Sequence, residues 1–475
     1  MPPSRALRGG LLLLFAAAAC AEELVPGRVT DRIVCRDKPD QAYALLLPST
    51  WAADRPAPIL YLLDARGRAL YALERFRAAA ETYGWILASS YNSRSDTKDD
   101  PNTPALQAMW NDTHARLSID PRRVYLGGFS GGGRAAVGLA FHASRRVAGV
   151  IGCGAGLADQ TMPLEGLPFL YFGTVGDRDF NYYEMRALDA AMDRARAPHR
   201  IEVFEGGHDW PPPDVAALAV AWMELSAMRS ELRERDAALA AQLLAAELAR
   251  AGALEAVGRT ADASVRYAHA AEDFRGLADI GPASEKAAAL GASPAVRKAL
   301  RDAASRDDRD RGALQALSQK LHAALRDPDI APAAAVAADL GVPALRRRAA
   351  SGSPEERLSA ERQLANLRVE TSFYLPEDLI ARGDFAHARL ALGVAAEIDP
   401  DDPRVYYALA SAEARSGRGG RARKELDRAI EKGFRHFETL DEDPDFTALR
   451  SDPDFTRWLA QARSRAAAPA VTPAP

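Results

Sequence analysis

The feature that most constrains the fold is a change of pattern near Met228. From about residue 30 to 228, short apolar runs rich in Val, Ile, Leu, Tyr and Phe alternate with amphipathic helical stretches. After Met228 the strand patterns end, and Leu and Ala recur among charged residues at helical spacing. Alternating strands and helices are typical of a largely parallel sheet covered by helices. The sequence therefore predicts an α/β domain over residues 25–228 and an all-α region over 229–465.

The first part contains eight strand candidates and five helical stretches, placed by period and residue type. The strands are predicted at residues 33–36, 43–47, 59–63, 85–89, 124–128, 148–153, 169–173 and 201–204. The helices are predicted at residues 69–83, 104–117, 132–142, 182–196 and 214–228.

Composition excludes several classes of protein. The 475 residues include 61 Lys and Arg against 65 Asp and Glu, a net charge of −4, so no basic excess favours nucleic acid as a partner. Hydrophobic residues make up 48% and charged residues 27%, which argues against both disorder and a multi-span membrane protein. Three cysteines are too few for a disulfide-dense scaffold or a multi-cysteine metal site.

The N-terminus has the pattern of a secretory signal over residues 1–21. Arg5 and Arg8 precede an apolar run over 11–19, which is followed by small residues around Cys20. Two cleavage patterns fit: an ordinary signal peptidase site, or a lipoprotein box that places a lipid anchor on Cys20. Either predicts export, to a bacterial periplasm, the envelope or the medium.

An exported chain would carry its remaining cysteines into an oxidising compartment. There Cys35 and Cys153 could form one disulfide. They could equally remain two separate buried thiols, because the sequence gives no distance between them.

A tight turn between a strand and a helix is predicted at Gly128-x-Ser130-x-Gly132, which follows an apolar run and precedes an alanine-rich stretch. Glycines two residues to either side of a serine relieve the crowding of such a turn, which lifts the Ser130 hydroxyl above the end of the sheet. The next N–H, of Gly131, then points toward a developing oxyanion at a helix N-terminus. This pattern favours a nucleophilic serine.

A serine hydroxyl needs a base and an orienting carboxylate, in the chain order Ser, acid, His. The apolar run over 169–173 leads into a loop with Asp177 and Asp179, and the run over 201–204 leads into Gly-Gly-His208. Among the eight histidines, His208 alone follows such a strand and glycine turn. The pattern predicts His208 as base and leaves two candidates for the acid.

Together these motifs resemble the α/β-hydrolase superfamily, and in particular compact secreted esterases of the polyhydroxybutyrate depolymerase and feruloyl esterase type. The resemblance implies Ser130 as nucleophile, His208 as general acid and base, and cleavage of carboxylic esters through an acyl-enzyme without metal or organic cofactor. The family's Gly-x-x-Asp spacing favours Asp179 over Asp177. Many relatives have His-Gly where Asp64-Ala65 stands here, so the second oxyanion donor is assigned by position, to the N–H of Ala65 or Arg66.

The all-α region contains a period. Gly383, Ala388, Leu392 and Ala395 recur 34 residues later as Gly417, Ala422, Leu426 and Ala429, which resembles the tetratricopeptide repeat. A third unit is predicted at Gly258, Ala263, Tyr267 and Ala270, while residues 280–352 are helical but off the pattern and 466–475 read as a disordered tail. Pro376 is expected to shift or break one helix. The concave face of such an array would hold a protein partner, or the array would only stiffen the chain.

Three functions fit this sequence. The first is an exported esterase. The stretch over residues 157–167, between the sixth and seventh predicted strands, is too short for a cap domain, so an open site and bulky or polymer-attached esters are expected. The second is a serine peptidase similar to the prolyl oligopeptidases, although those enzymes normally carry an N-terminal propeller that this sequence does not predict. The third is an inert envelope scaffold in which the repeats bind a partner.

Overall fold

A computed structural model of the chain describes residues 24–143, 145–159 and 161–467. The predicted signal, Cys20 and residues 468–475 of the predicted tail lie outside the described residues. Ala466 and Ala467 belong to the last helix instead of the tail.

The first part folds around one sheet of eight strands in the order β1-β2-β4-β3-β5-β6-β7-β8. Strand β2 runs antiparallel to both of its neighbours, β1 and β4. The other six strands, β3 to β8, are parallel to one another. The strands are β1 Val29–Cys35, β2 Lys38–Leu46, β3 Ala57–Leu63, β4 Ile86–Ser90, β5 Ile119–Phe129, β6 Gly149–Cys153, β7 Leu170–Gly176 and β8 His199–Phe204. The predicted mostly parallel, eight-stranded α/β sheet is confirmed. Strands β1, β2 and β5 begin four or five residues earlier than predicted. In β5 this is because Ile119 also pairs with Ala57, beyond an irregularity.

Helices cover both faces of this sheet, as alternating side chains on buried parallel strands require. The helices are α1 Ala69–Tyr83, α2 Asn102–Arg116, α3 Gly131–His142, α4 Tyr182–Ala195 and α5 Pro213–Arg229. On β3, Ile59 and Tyr61 point into the core formed with α2, α3 and α4, whereas Leu60 and Leu62 point into the core formed with α1 and α5. The carboxyl ends of the parallel strands therefore share one edge, where the predicted site residues lie.

The second part is an array of helices. They are α6 Ala237–Ala256, α7 Thr260–Asp273, α8 Gly281–Ala292, α9 Pro294–Ala324, α10 Ala333–Asp339, α11 Val342–Ser351, α12 Pro354–Val369, α13 Leu375–Ala381, α14 Phe385–Ile398, α15 Pro403–Arg415, α16 Gly419–Glu431, α17 Phe437–Glu442, α18 Thr447–Arg450 and α19 Pro453–Ala467. Helix α6 is long and apolar enough to cross a membrane by length and composition alone. In the array it packs against α7, with Ala240, Leu244 and Ala251 buried.

Pro376 has the local effect expected of it. A π-helical segment, Glu370–Tyr374, separates α12 from α13, and Pro376 lies in the first turn of α13. Proline has no N–H to donate and its ring crowds the preceding turn, so the backbone widens just before it. The chain therefore continues in the helical direction while Phe373 and Tyr374 lie on an irregular turn.

The array folds back onto the first domain through buried polar contacts. Arg200 of β8 pairs with Asp273 of α7 at 2.8 Å, and the Tyr183 hydroxyl donates to Asp310 of α9 at 2.7 Å. Arg362 of α12, only 9% exposed, donates from Nε to the carbonyl oxygen of Asp177 at 2.6 Å. These contacts bring α12 to the carboxyl edge of the sheet.

The two remaining cysteines are separate buried thiols. Cys35 and Cys153 are both free and lie in the cores on opposite faces of the sheet. Burial raises the pKa of Cys35 to about 11 and that of Cys153 to about 12, so neither thiol is a ready nucleophile. Of the two alternatives open in the sequence, the structure has the pair of thiols.

Candidate active site

The turn from β5 to α3 has the geometry that its glycines predict. Ser130 stands between the two elements with φ 54°, a left-handed value that is uncommon for a residue with a side chain. A Cβ on Gly128 would lie 2.2 Å from the carbonyl oxygen of Gly132, and a Cβ on Gly132 would lie 2.1 Å from that of Leu63. The turn is thus closed by backbone contacts that only glycine permits.

We expect Gly132→Ala to lower the melting temperature markedly. The added methyl group meets the β3 backbone, which cannot rotate away as a side chain could, and such overpacking costs about 1–3 kcal/mol or more. Gly138→Ala in the same helix is the matched control, because its methyl group would meet Ala158 Cβ at an ordinary 3.7 Å. Thermal melts monitored by circular dichroism compare the two. Equal melting temperatures for both variants would contradict the close approach at Gly132.

The structure brings together the three residues predicted to form a triad. Nε2 of His208 lies 3.0 Å from Oγ of Ser130, and Nδ1 lies 2.9 Å from each carboxylate oxygen of Asp179. The imidazole is held between the rings of Phe129 and Phe180, with centroids at 4.6 and 4.1 Å. The ring is therefore fixed by packing as well as by its hydrogen bonds.

The two candidate acids have different environments. Asp179 is fully buried, and its Oδ1 also accepts a hydrogen bond from the Asn181 N–H at 2.8 Å. Asp177 lies elsewhere: its Oδ1 accepts from the Gly206 N–H at 3.0 Å, and Arg178 is 3.4 Å away. Asp179 contacts the imidazole, while Asp177 fastens the glycine turn that carries His208.

Asp64 organises the loop between β3 and α1, a role that sequence reasoning missed. Its buried carboxylate accepts hydrogen bonds from the backbone N–H groups of Arg66 and Arg68 and from the guanidinium of Arg68. It also accepts from the Trp210 indole at 2.7 Å, which ties this loop to the one carrying His208. The Arg66 N–H is thereby engaged. Of the two donors predicted by position, the Ala65 N–H is the one left without an acceptor in the described part of the chain.

The same contacts make a pH-dependent contribution to stability. Burial opposes ionisation of Asp64, but the hydrogen bonds from Arg68 and Trp210 outweigh it and hold the pKa of the carboxyl below its usual value. A carboxyl with a lowered folded-state pKa stabilises the fold above its unfolded pKa of about 3.9, and this stabilisation is lost as pH falls through the folded pKa.

We therefore expect Asp64→Asn to be less stable than the wild type by about 1–3 kcal/mol at neutral pH, the usual cost of an impaired buried hydrogen bond. The difference should shrink below about pH 4, as the wild-type carboxyl takes up its proton. Melting temperatures of both proteins at neutral and acidic pH measure this. A difference that stays constant across that range would show that the charge of Asp64 is not what stabilises the loop.

A cavity of about 920 Å³ opens beside Ser130 and His208, and its walls come from both parts of the chain. The first domain contributes Ala65, Phe129, Phe180 and Asp209, among others. The array contributes residues of α12, the π-helical segment and the start of α15, including Arg368, Phe373, Tyr374 and Val405. The sequence predicted an open site. The link between β6 and β7 is short, as expected. The array nevertheless forms one wall of the cavity, which no local pattern in the sequence predicts.

The order of the strands, with the turn bearing Ser130 directly after β5 and His208 after β8, defines the first part as an α/β-hydrolase fold. In the second part, residues 379–438 match the tetratricopeptide repeat family. This match confirms the repeat predicted from the two units that begin at Gly383 and Gly417. The unit predicted at Gly258 lies outside the matched residues and stays a prediction.

Several solved structures are similar to the first part at low identity. The serine hydrolase FphF of Staphylococcus aureus is 14% identical, with 38% of this chain and 92% of that chain covered and a TM-score of 0.32. A ferulic acid esterase is 17% identical, with 41% and 94% covered and a TM-score of 0.32. An esterase of Pyrobaculum calidifontis is 13% identical, with 42% and 87% covered and a TM-score of 0.35. Comparison with curated protein sequences finds no match.

Proposed function

We propose that the protein is a serine hydrolase that cleaves carboxylic esters, with Ser130 as nucleophile, His208 as general acid and base, and Asp179 as the carboxylate that orients His208. The observation that carries the proposal is the hydrogen-bonded chain from Ser130 Oγ through His208 to Asp179, at 3.0 and 2.9 Å. A nucleophile and a base in contact, with the base oriented by a third group, can activate a hydroxyl that is otherwise a weak nucleophile.

The first half of the reaction forms an acyl-enzyme. Ser130 Oγ attacks the ester carbonyl carbon as its proton passes to Nε2 of His208. The carbonyl oxygen takes the electron pair and becomes an oxyanion, which the N–H groups of Gly131 and Ala65 stabilise. When the C–O bond to the alcohol breaks, the pair returns to the carbonyl and His208 gives its proton to the departing alcohol oxygen.

The second half repeats these steps with water. His208 takes a proton from water, the resulting hydroxide attacks the acyl carbon, and the bond to Ser130 breaks as Oγ regains a proton from His208. Asp179 accepts a hydrogen bond from the Nδ1–H of His208 throughout, which keeps Nε2 facing the serine. The Ser130 hydroxyl, two backbone N–H groups, one imidazole and one carboxylate thus carry the complete cycle.

A fluorophosphonate probe and two substrate panels test the proposal. We expect the folded protein to be labelled by the probe and to hydrolyse short water-soluble esters, with far slower cleavage of the matching amides and peptides. Faster cleavage of peptides would favour a serine peptidase. A folded protein that neither takes the label nor cleaves any ester would contradict catalysis and favour an inert scaffold.

A further inference from the structure

Two cavities meet at Ser130. Beside the cavity of about 920 Å³ lies a smaller one of about 250 Å³, between the loop that follows β4 and the start of α3. Both are lined by Ser130, Ser95, Asp96 and Tyr374. We call them the large and the small compartment. An ester bound at Ser130 has two groups that diverge from its carbonyl carbon, the acyl chain and the alcohol, and the compartments diverge from the same point.

The position of His208 decides which group lies where. His208 borders the large compartment together with Phe180, Gly207 and Asp209, and it does not border the small one. The alcohol oxygen must lie near Nε2 of His208 to receive its proton. The alcohol group therefore extends into the large compartment, and the acyl group, on the other side of the carbonyl carbon, extends into the small one.

The small compartment suits a short acyl group. Its volume of about 250 Å³ is roughly a quarter of the 920 Å³ of the large compartment. Charged and amide side chains line it, including Asp96, Asp99, Asp100, Arg134 and Asn181. A long alkyl chain placed there would displace water from these groups and return no hydrogen bonds, which is costly.

The large compartment suits a bulky alcohol group with apolar surface. Phe129 and Phe180 form part of the wall on the hydrolase side, and Val369, Phe373 and Val405 form part of the wall on the array side. Tyr374 is 40% exposed and lines both compartments, so it stands where they meet. Large rings pack well against such aromatic and branched side chains.

The array wall is fixed to the loop that carries Asp179. The Arg362 guanidinium lies over the Tyr182 ring at 3.5 Å from its centroid, and its Nε donates to the Asp177 carbonyl at 2.6 Å. Val369, which lies seven residues after Arg362 at the end of α12, borders the large compartment. Because its side chains are held in place, such a wall can discriminate between substrates of different shape.

On the basis of the proposed function, we propose that the site selects esters of a short acyl group with a bulky alcohol. We also propose that Phe373 and Tyr374 of the array are specificity-determining residues for the alcohol. The array thus completes the substrate site of the hydrolase domain in addition to any partner it binds.

Two isomeric esters test this assignment: naphthylmethyl acetate, with a small acyl group and a bulky alcohol, and methyl naphthylacetate, with the reverse. Both release an alkyl alcohol and neither has a carbonyl conjugated to the ring, so their intrinsic reactivity is similar. We expect the wild-type kcat/KM to favour naphthylmethyl acetate by about tenfold or more, the scale on which a shaped pocket discriminates. In Phe373→Ala and Tyr374→Ala the preference should fall several-fold, mainly through a higher KM for that ester. Tyr374→Phe, which keeps the ring, should retain the preference.

Each other outcome has a definite meaning. Equal cleavage of the two isomers, a preference for methyl naphthylacetate, or probe labelling without cleavage of either isomer would overturn the compartment assignment while leaving the proposed hydrolase intact. An unchanged preference in both alanine variants, with melting temperatures like that of the wild type, would overturn the role of the array. Absence of both labelling and hydrolysis in the folded wild type would instead overturn the proposed function itself.

Discussion

Replacing Ser130 by alanine is expected to lower kcat for ester hydrolysis by about six orders of magnitude, the loss that follows when a serine nucleophile of this type is removed. The hydroxyl oxygen lies 3.0 Å from Nε2 of His208 and is the atom that forms the acyl bond, so nothing else in the site can replace it. The variant should bind substrate normally and fold normally, because alanine fits the space of serine. Steady-state assays with a chromogenic acetate ester measure this loss of kcat.

Ser49, an exposed serine of the same domain, provides the control for the Ser130 variant. Ser49→Ala should hydrolyse the acetate at the wild-type rate. A Ser130→Ala protein that retains more than about a thousandth of the wild-type kcat would mean that another group carries the covalent step, since the donors and binding contacts left behind supply only weak catalysis.

Asp179→Asn is expected to lower kcat by about four orders of magnitude, as loss of control over the histidine tautomer does. Both carboxylate oxygens of Asp179 lie 2.9 Å from Nδ1 of His208. An asparagine amide can present an N–H to Nδ1, which drives the ring hydrogen to Nε2, where it can no longer accept the serine proton. The same assay on Asp179→Asn at saturating substrate gives the effect on kcat.

Asp177→Asn is the matched control, because it makes the same chemical change two residues away. Its carboxylate accepts from the Gly206 N–H, and the asparagine side-chain oxygen can accept the same bond. The expected loss is less than about tenfold, the scale of one modest hydrogen bond. A loss in Asp177→Asn comparable to that in Asp179→Asn would reassign the acid.

Much of the fold was predictable because its signals are local. Central strands such as β3 and β6 are short apolar runs. The glycine pattern around Ser130 indicates a crowded turn, and the structure shows that crowding at Gly128 and Gly132. The repeat was visible for a similar reason, since small residues recur where the helices of successive units touch. Signals of this kind depend on neighbours within one element or one turn.

Contacts between distant elements could not be predicted from the sequence. Arg362 and Asp177 are separated by 185 residues, and Asp64 and Trp210 by 146, so no spacing or periodicity links them. In the sequence, Asp64 stood out only because many relatives have His-Gly at this position. Its role as the hydrogen-bond acceptor that holds the loop between β3 and α1 was not predicted. The choice between Asp179 and Asp177 likewise depended on which carboxylate the loop turns toward the imidazole, a property of the folded turn.

The most direct test of the central claim is peptide mapping by mass spectrometry after the folded protein has reacted with a fluorophosphonate. We expect a single adduct, on Oγ of Ser130, which is lost when the protein is denatured before the reaction or when His208 is replaced by alanine. An adduct on a different residue, or equal labelling of folded and denatured protein, would contradict a hydroxyl activated by the convergence of Ser130, His208 and Asp179.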